Sequence, residues 1–242
     1  MKKSEIKQMI REEVEKLNEA RNRLQELNND YGSGITFVDI DETIFHTYAM
    51  INVIDDETED VIDRLTNQDY NTYKLKSGTH FQYDEFRNAK LFKDTSVPIM
   101  PTIKRIKKII RGIDNRDSKI VLLTARKRFE DLNVFLGTFE KYGISTKKLD
   151  IQFAGDINAK TVASAKKKII TQYLSTGKYR RVRLLDDDSK NIQMFVNYGK
   201  NIPNEIVNKI KQKYNIPDNE RLSIIEFYAL HVQPDGSLRR VN

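Results

Sequence analysis

Three short apolar runs in this chain of 242 residues end in side chains capable of chemistry. Ile35-Thr36-Phe37-Val38 leads into Asp39-Ile40-Asp41-Glu42-Thr43. Lys119-Ile120-Val121-Leu122-Leu123 leads into Thr124-Ala125-Arg126, and Arg181-Val182-Arg183-Leu184-Leu185 into Asp186-Asp187-Asp188-Ser189. One acidic residue after an apolar strand is ordinary turn chemistry. Carboxylates after two strands and a hydroxyl after a third would be a coincidence under that explanation. Ligands of open α/β sheets bind at the carboxyl ends of the strands. Carboxylates gathered there repel one another unless a cation sits among them, and hard oxygen donors suit Mg²⁺.

The elements that must position these groups are legible around them. Nearly continuous apolar and β-branched runs predict strands buried on both faces, with Ile151-Gln152-Phe153-Ala154 as a weaker fourth. Between them lie helical faces: Ile103, Ile106, Ile109, Ile110 and Ile113; then Phe129, Leu132, Phe135, Leu136 and Phe139; then Ile169, Ile170, Tyr173 and Leu174, closed by Gly177. This alternation predicts an α/β fold, a Rossmann-like parallel sheet covered by helices on both faces. Residues 48–97 are polar, tyrosine-rich and poorly periodic, and they read as a small cap insertion. After Asn201 come a helix (Ile206, Ile210, Tyr214), an apolar run over 222–232 and a turn at Pro234-Asp235-Gly236, after which Leu238–Val241 can pair back. Residues 4–29 are helical in composition. Ile10, Leu17 and Leu24 repeat at heptad spacing, broken at Glu13. An amphipathic helix packed on its own domain is the leading reading, and a dimerising coiled coil the alternative. The chain therefore divides into an N-terminal helix (1–32) and one domain with its insertion (33–242).

Composition narrows the chemistry. The absence of cysteine removes disulfides, thiolate metal sites and cysteine nucleophiles, and three histidines argue against a multi-histidine zinc site. No apolar run approaches the roughly 20 residues that span a bilayer. The basic start lacks the apolar core of a signal peptide, so a soluble, cytoplasmic protein is expected. Forty-two Lys and Arg against 35 Asp and Glu give a net charge of +7, a weak pointer to an anionic partner. No GxxxxGK[ST] phosphate loop occurs.

The acidic strand ends resemble the motifs of the haloacid-dehalogenase (HAD) superfamily of phosphohydrolases. Asp39-Ile40-Asp41-Glu42-Thr43 is similar to the first motif, DxDx[TV]. Leu122-Leu123-Thr124-Ala125-Arg126 is similar to the second, an apolar strand ending in Thr or Ser. Leu184-Leu185-Asp186-Asp187 is similar to the fourth, with Asn191, Ile192 and Phe195 in the helix that follows. The third is a lysine on the preceding helix, for which Lys166 is chosen and Lys160, Lys167 and Lys168 remain alternatives. The motifs span residues 35–198 in the family's order. The chain is also similar in texture to small-cap HAD-like phosphatases of large tailed bacteriophages. A two-component receiver domain uses comparable groups, but there the acidic pair ends the first strand, whereas here it comes last.

The resemblance implies that Asp39 is the nucleophile, forming an aspartyl-phosphate, and that Asp41 is the general acid and then base. It implies Mg²⁺ held by the Asp39 side chain, the Asp41 backbone carbonyl and Asp186, with Asp187 as second candidate. Thr124 and Lys166 would bind the phosphoryl oxygens. A short cap implies an open site, suited to nucleotides or polynucleotide ends. Tyr70, Tyr73, Phe81, Tyr83 and Phe86 would stack bases or, as favoured here, form the cap's own core. Asp188 is read as a helix N-terminal residue, His46 as a loop or core histidine, and the basic residues of 104–111 as a solvated helix face. The patch Lys178-Tyr179-Arg180-Arg181 falls at the amino end of its strand, away from the site. The alternative function is a non-catalytic binding or assembly protein working through its N-terminal helix and basic patches.

Overall fold

The computed structural model describes residues 33–70, 72–113, 117–217 and 224–241, together with Gln8 and Val14. Apart from Gln8 and Val14, the heptad pattern of residues 4–29, and with it the expected helix and the alternative coiled-coil dimer, lies outside the described residues. Within them, β1 (Ser33–Val38) is followed by β2 (Phe45–His46), β3 (Ile51–Asp55), β4 (Val61–Leu65), the single-turn α1 (Asn67–Tyr70), β5 (Thr79–Gln82), α2 (Ala89–Thr95), β6 (Val97–Pro98) and α3 (Met100–Ile113). The alternation then becomes regular: β7 (Lys119–Thr124), α4 (Leu132–Lys141), β8 (Leu149–Phe153), α5 (Val162–Leu174) and β9 (Tyr179–Asp186). The chain closes with α6 (Ser189–Lys200), α7 (Asn204–Tyr214), β10 (Glu226–Val232) and β11 (Leu238–Val241).

The four apolar runs all become strands of one sheet, in the order β11-β10-β9-β1-β7-β8. All neighbours are parallel except β11, which folds back antiparallel on β10 after the turn at Gly236. Because side chains alternate across a strand, each apolar run feeds two cores. Ile35, Phe37, Val121, Leu123, Val182 and Leu184 pack with α5, α6 and α7; Val38, Ile120, Leu122 and Leu185 pack with α2, α3 and α4. The protein is thus an α/β fold with a mostly parallel sheet between two helical layers. No helix among the described residues is long and apolar enough to cross a membrane.

One expectation needs correction. The amino half of β9 is not buried on both faces, because Arg181 and Arg183 alternate with Val182 and Leu184 and remain half-buried on the α3 side. Period-two alternation of cation and aliphatic marks a strand with one wet face.

Between β2 and β6, the strands β4-β3-β5 form a small antiparallel sheet. Its core is Ile51, Val53 and Leu65 with Tyr70, Tyr73, Phe81 and Phe86 packed against them. Tyr70 and Phe81 meet edge to face at 4.8 Å. Tyr70, Tyr73, Phe81 and Phe86 thus belong to the unit's own core, as favoured from the sequence, whereas Tyr83 stays exposed. The turn Asp84–Arg87 ties this unit to the main body through the Glu130 N–H, which donates to the Arg87 carbonyl at 3.1 Å.

Candidate functional site

Strand β1 lies between β7, which follows it in the chain, and β9, which comes later. The winding reverses there, and such a reversal opens a crevice beyond the carboxyl ends. The chain keeps the first acidic segment in that crevice by extending the ladder one step: the Asp39 N–H donates to the Leu185 carbonyl at 2.9 Å. The Ile40 carbonyl then accepts from the N–H groups of Ile44 and Phe45, closing a tight turn beneath Asp41.

Three carboxylates, Asp39, Asp186 and Asp187, have oxygens within 4.8 Å of one another. Lys166 reaches them from α5, with Nζ at 2.7 Å from Asp39 Oδ1 and 2.8 Å from Asp186 Oδ2, and its side chain is 1% exposed. The other Asp186 oxygen accepts from the Asp188 N–H and from Asn191 Nδ2, both at 3.0 Å. Asp187 accepts the Thr43 hydroxyl at 3.0 Å. Burial pushes the Asp39 carboxyl well above its ordinary value. Lys166 pulls it down, while repulsion from Asp186, Asp187 and Asp41 pushes it further up. Burial and then Asp186 push Asp187 up to about 7. Lys166 is opposite in sign: burial favours its neutral form, but Asp186 and Asp39 more than offset this and hold it charged.

Asp41 faces a different partner. Arg126, at the end of β7, donates Nε to both Asp41 oxygens at 3.0 Å and Nη2 to Oδ1 at 2.6 Å. Its Nη1 donates to the Phe86 carbonyl at 3.0 Å. The guanidinium lies over the rings of Phe86, Phe92 and Phe129 at 4.7, 5.3 and 5.5 Å, so it is both stacked and forked, as a buried arginine must be. Thr47 donates its hydroxyl to Asp41 at 2.7 Å, and Thr124 lies within 3.4 Å of it. Burial alone would raise the Asp41 carboxyl. The Arg126 charge and hydrogen bonds, helped by Thr47, outweigh it and hold Asp41 below the ordinary carboxylate value.

All six residues singled out from the sequence, Asp39, Asp41, Thr124, Lys166, Asp186 and Asp187, meet in this crevice. Among the lysine alternatives, Lys160, Lys167 and Lys168 are exposed, and Lys166 alone takes a position on the apolar stripe with Ala165, Ile169 and Ile170. Asp188 caps α6, its side chain accepting the Lys190 N–H at 2.8 Å. His46 pairs with Glu42 at 2.7 Å beside the site.

The donor set fits a hard divalent cation. With all groups ionised, Asp39, Asp41, Asp186 and Asp187 face, among the described residues, only Lys166 and Arg126, which leaves two negative charges uncompensated. Two carboxyls pushed up by burial and mutual repulsion are the electrostatic mark of that shortfall. Asp39, Asp186 and Asp187 offer oxygen ligands of the type Mg²⁺ takes.

Sequence reasoning gave no role to Arg126, Thr47, His231 or Gly155. Arg126 carried a signal, since a cation at the end of an apolar strand must find a carboxylate there. His231 is the penultimate residue of β10, where its Nε2 lies 2.7 Å from the Asp187 carbonyl, steadying the acidic loop. Gly155 is needed for a close approach: a Cβ there would stand 2.6 Å from the Lys127 nitrogen and 2.7 Å from the Ala125 oxygen, the loop that carries Arg126. Neither Thr47 nor Gly155 left a pattern to read. In comparisons with known proteins, no family model matches the chain and no curated protein matches it significantly.

Proposed function

We propose that this protein is a Mg²⁺-dependent phosphomonoester hydrolase of the HAD type, acting through an aspartyl-phosphate on nucleotides or polynucleotide ends. The observation that carries the reading is the meeting of Asp39 and Asp41 after β1, Thr124 and Arg126 after β7, Asp186 and Asp187 after β9, and the buried Lys166 of α5 at one reversal of the sheet. The order of the parallel strands supports it too. Numbered along the chain, β8-β7-β1-β9-β10 is 3-2-1-4-5, the order of a Rossmann-like doubly wound sheet.

In this reading an Asp39 carboxylate oxygen bonds to phosphorus as the bond from phosphorus to the leaving oxygen breaks. Asp41 gives that oxygen a proton. Water then attacks phosphorus and yields its proton to Asp41, and the bond between phosphorus and Asp39 breaks, returning inorganic phosphate. Because Arg126 holds Asp41 ionised in the free protein, the first proton enters with a phosphate monoanion. Lys166 and Thr124 neutralise and orient the phosphoryl oxygens. Asp39, Asp186 and Asp187, with the Asp41 carbonyl, would hold Mg²⁺, which shields the anionic phosphate from the attacking carboxylate. The three-stranded unit is small and filled by its own aromatics, which supports a reading with large substrates over one enclosed by a large lid.

The test is phosphate release from an aryl phosphate, nucleotides, sugar phosphates and 3′- and 5′-phosphorylated oligonucleotides, with Mg²⁺ or with chelator. Mg²⁺-dependent turnover lost in Asp39→Asn is expected. No turnover on any of these by the folded, Mg²⁺-replete protein would overturn the reading in favour of a binding or assembly protein.

A further inference from the structure

A second surface lies on the α3 side of the sheet, towards the amino ends of β1 and β9. Five residues of β1, about 16 Å of strand, separate Gly34 at its floor from Asp39 in the crevice. It is a groove of about 450 Å³ between α3 and the strands, lined by Arg105, Lys108, Lys119, Arg181 and Arg183 and, among the described residues, by no acidic one. Lys119 is engaged with Asp150 at 3.1 Å. Arg105, Lys108 and Arg183 have no ion-pair partner among the described residues.

The cationic strip continues past the groove on the same face. In the register of β9 with β10, Arg183 stands opposite Tyr228 and Arg181 opposite Glu226. The Tyr228 ring lies between Arg183 at 5.7 Å and Arg240 at 4.9 Å. Its hydroxyl donates to Glu226. A run of cations tracking a groove, with an aromatic ring held among arginines, is the chemistry that binds a phosphate backbone and stacks unpaired bases.

We infer that this groove and the adjoining β9-β10 face bind single-stranded polynucleotide. The inference does not depend on hydrolysis and survives if the crevice has no phosphatase activity. The helix supplies a clean probe: a Cβ on Gly112 meets nothing within 4 Å, so a larger side chain there enters the groove without displacing the fold.

The experiment titrates the full chain with a fluorescent single-stranded oligonucleotide of about 20 nucleotides with hydroxyl ends, followed by anisotropy from low to moderate salt. Wild type should bind with a log–log salt slope of about −0.7 for each phosphate neutralised. Gly112→Glu and the surface variant Lys108→Glu should each weaken binding at least tenfold and flatten the slope, while Gly112→Lys should not weaken it. Turnover of a small aryl phosphate, where present, should be equal in all four proteins. No binding by wild type at low salt, or undiminished binding by the folded Lys108→Glu protein, overturns the inference. Tighter binding of the matching duplex, or equal capture by anionic vesicles, overturns the choice of a single strand.

Discussion

Lys166 Nζ stands 2.7 Å from Asp39 Oδ1 although 127 residues separate them along the chain. The lysine belongs to the apolar stripe of α5 by position and to the acidic crevice by chemistry. Among the described residues it is the only cation touching the three-carboxylate cluster, so the stability of the fold and the charge state of the site rest on the same atom.

Replacing it should therefore unsettle both. Lys166→Met keeps the length and apolar body of the side chain but leaves Asp39 and Asp186 buried without their counter-charge. Breaking a buried pair in this way costs about 3–5 kcal/mol. Urea unfolding of the metal-free protein should register a loss of this size, and Mg²⁺ should restore part of it by supplying positive charge to the same carboxylates. A variant as stable as wild type without Mg²⁺ would show that the carboxylates are already neutral.

The raised carboxyls set a direction for stability against pH. Asp187 titrates near 7 in the folded protein but near 4 when unfolded, and Asp39 is shifted the same way. The unfolded chain therefore releases these protons first as pH rises. Stability present below about pH 4 is lost progressively up to about 7. The melting temperature of the metal-free protein should carry this decline, added Mg²⁺ should raise it more at pH 8 than at pH 5, and Asp39→Asn should be more stable than wild type at pH 8 without Mg²⁺ while inactive. A Mg²⁺ effect independent of pH would contradict the assignment.

Arg126 governs the other aspartate. Its removal takes away the charge that holds Asp41 low, and burial then acts unopposed, so the Asp41 carboxyl rises. In a pH–rate profile of Arg126→Gln, the limb set by protonation of Asp41 should move to higher pH, with a lower kcat at every pH because the carboxyl has lost its orienting fork. An unmoved limb would mean that Asp41 does not supply the proton.

What could be read from the sequence followed the range of the interaction. Apolar runs and helical stripes depend on local spacing, and they gave the strands around Phe37, Val121 and Leu184 and the helices around Ile106 and Ile169. The acidic strand ends were legible because the ends of parallel strands must gather at one edge. The strand order was not, since nothing local says that β9 rather than β8 lies beside β1. The preference for Lys166 among four lysines is decided only in α5, where one or two steps of about 100° around the helix carry Lys167 and Lys168 from the stripe to the surface, and Lys160 lies before the helix. Arg126 was passed over because its partner lies 85 residues away. Gly155 was invisible because its constraint is another loop's backbone.

The two neighbouring aspartates 186 and 188 give the sharpest contrast. Asp186 accepts from Lys166, Asn191 and a backbone N–H inside the crevice, whereas the Asp188 side chain turns away to accept the Lys190 N–H at the start of α6. Asp188→Ala removes a helix cap, a loss of about 1 kcal/mol, and leaves the Asp188 N–H still donating to Asp186. Its Mg²⁺ dependence and kcat should stay near wild type while its melting temperature falls by a few degrees. Asp186→Ala should do the reverse for chemistry: the Mg²⁺ concentration giving half-maximal rate should rise at least tenfold, since a ligand and the second anchor of Lys166 both go. If titration of rate against Mg²⁺ finds the larger shift in Asp188→Ala, the acidic loop works in a different register from the one the hydrogen bonds describe.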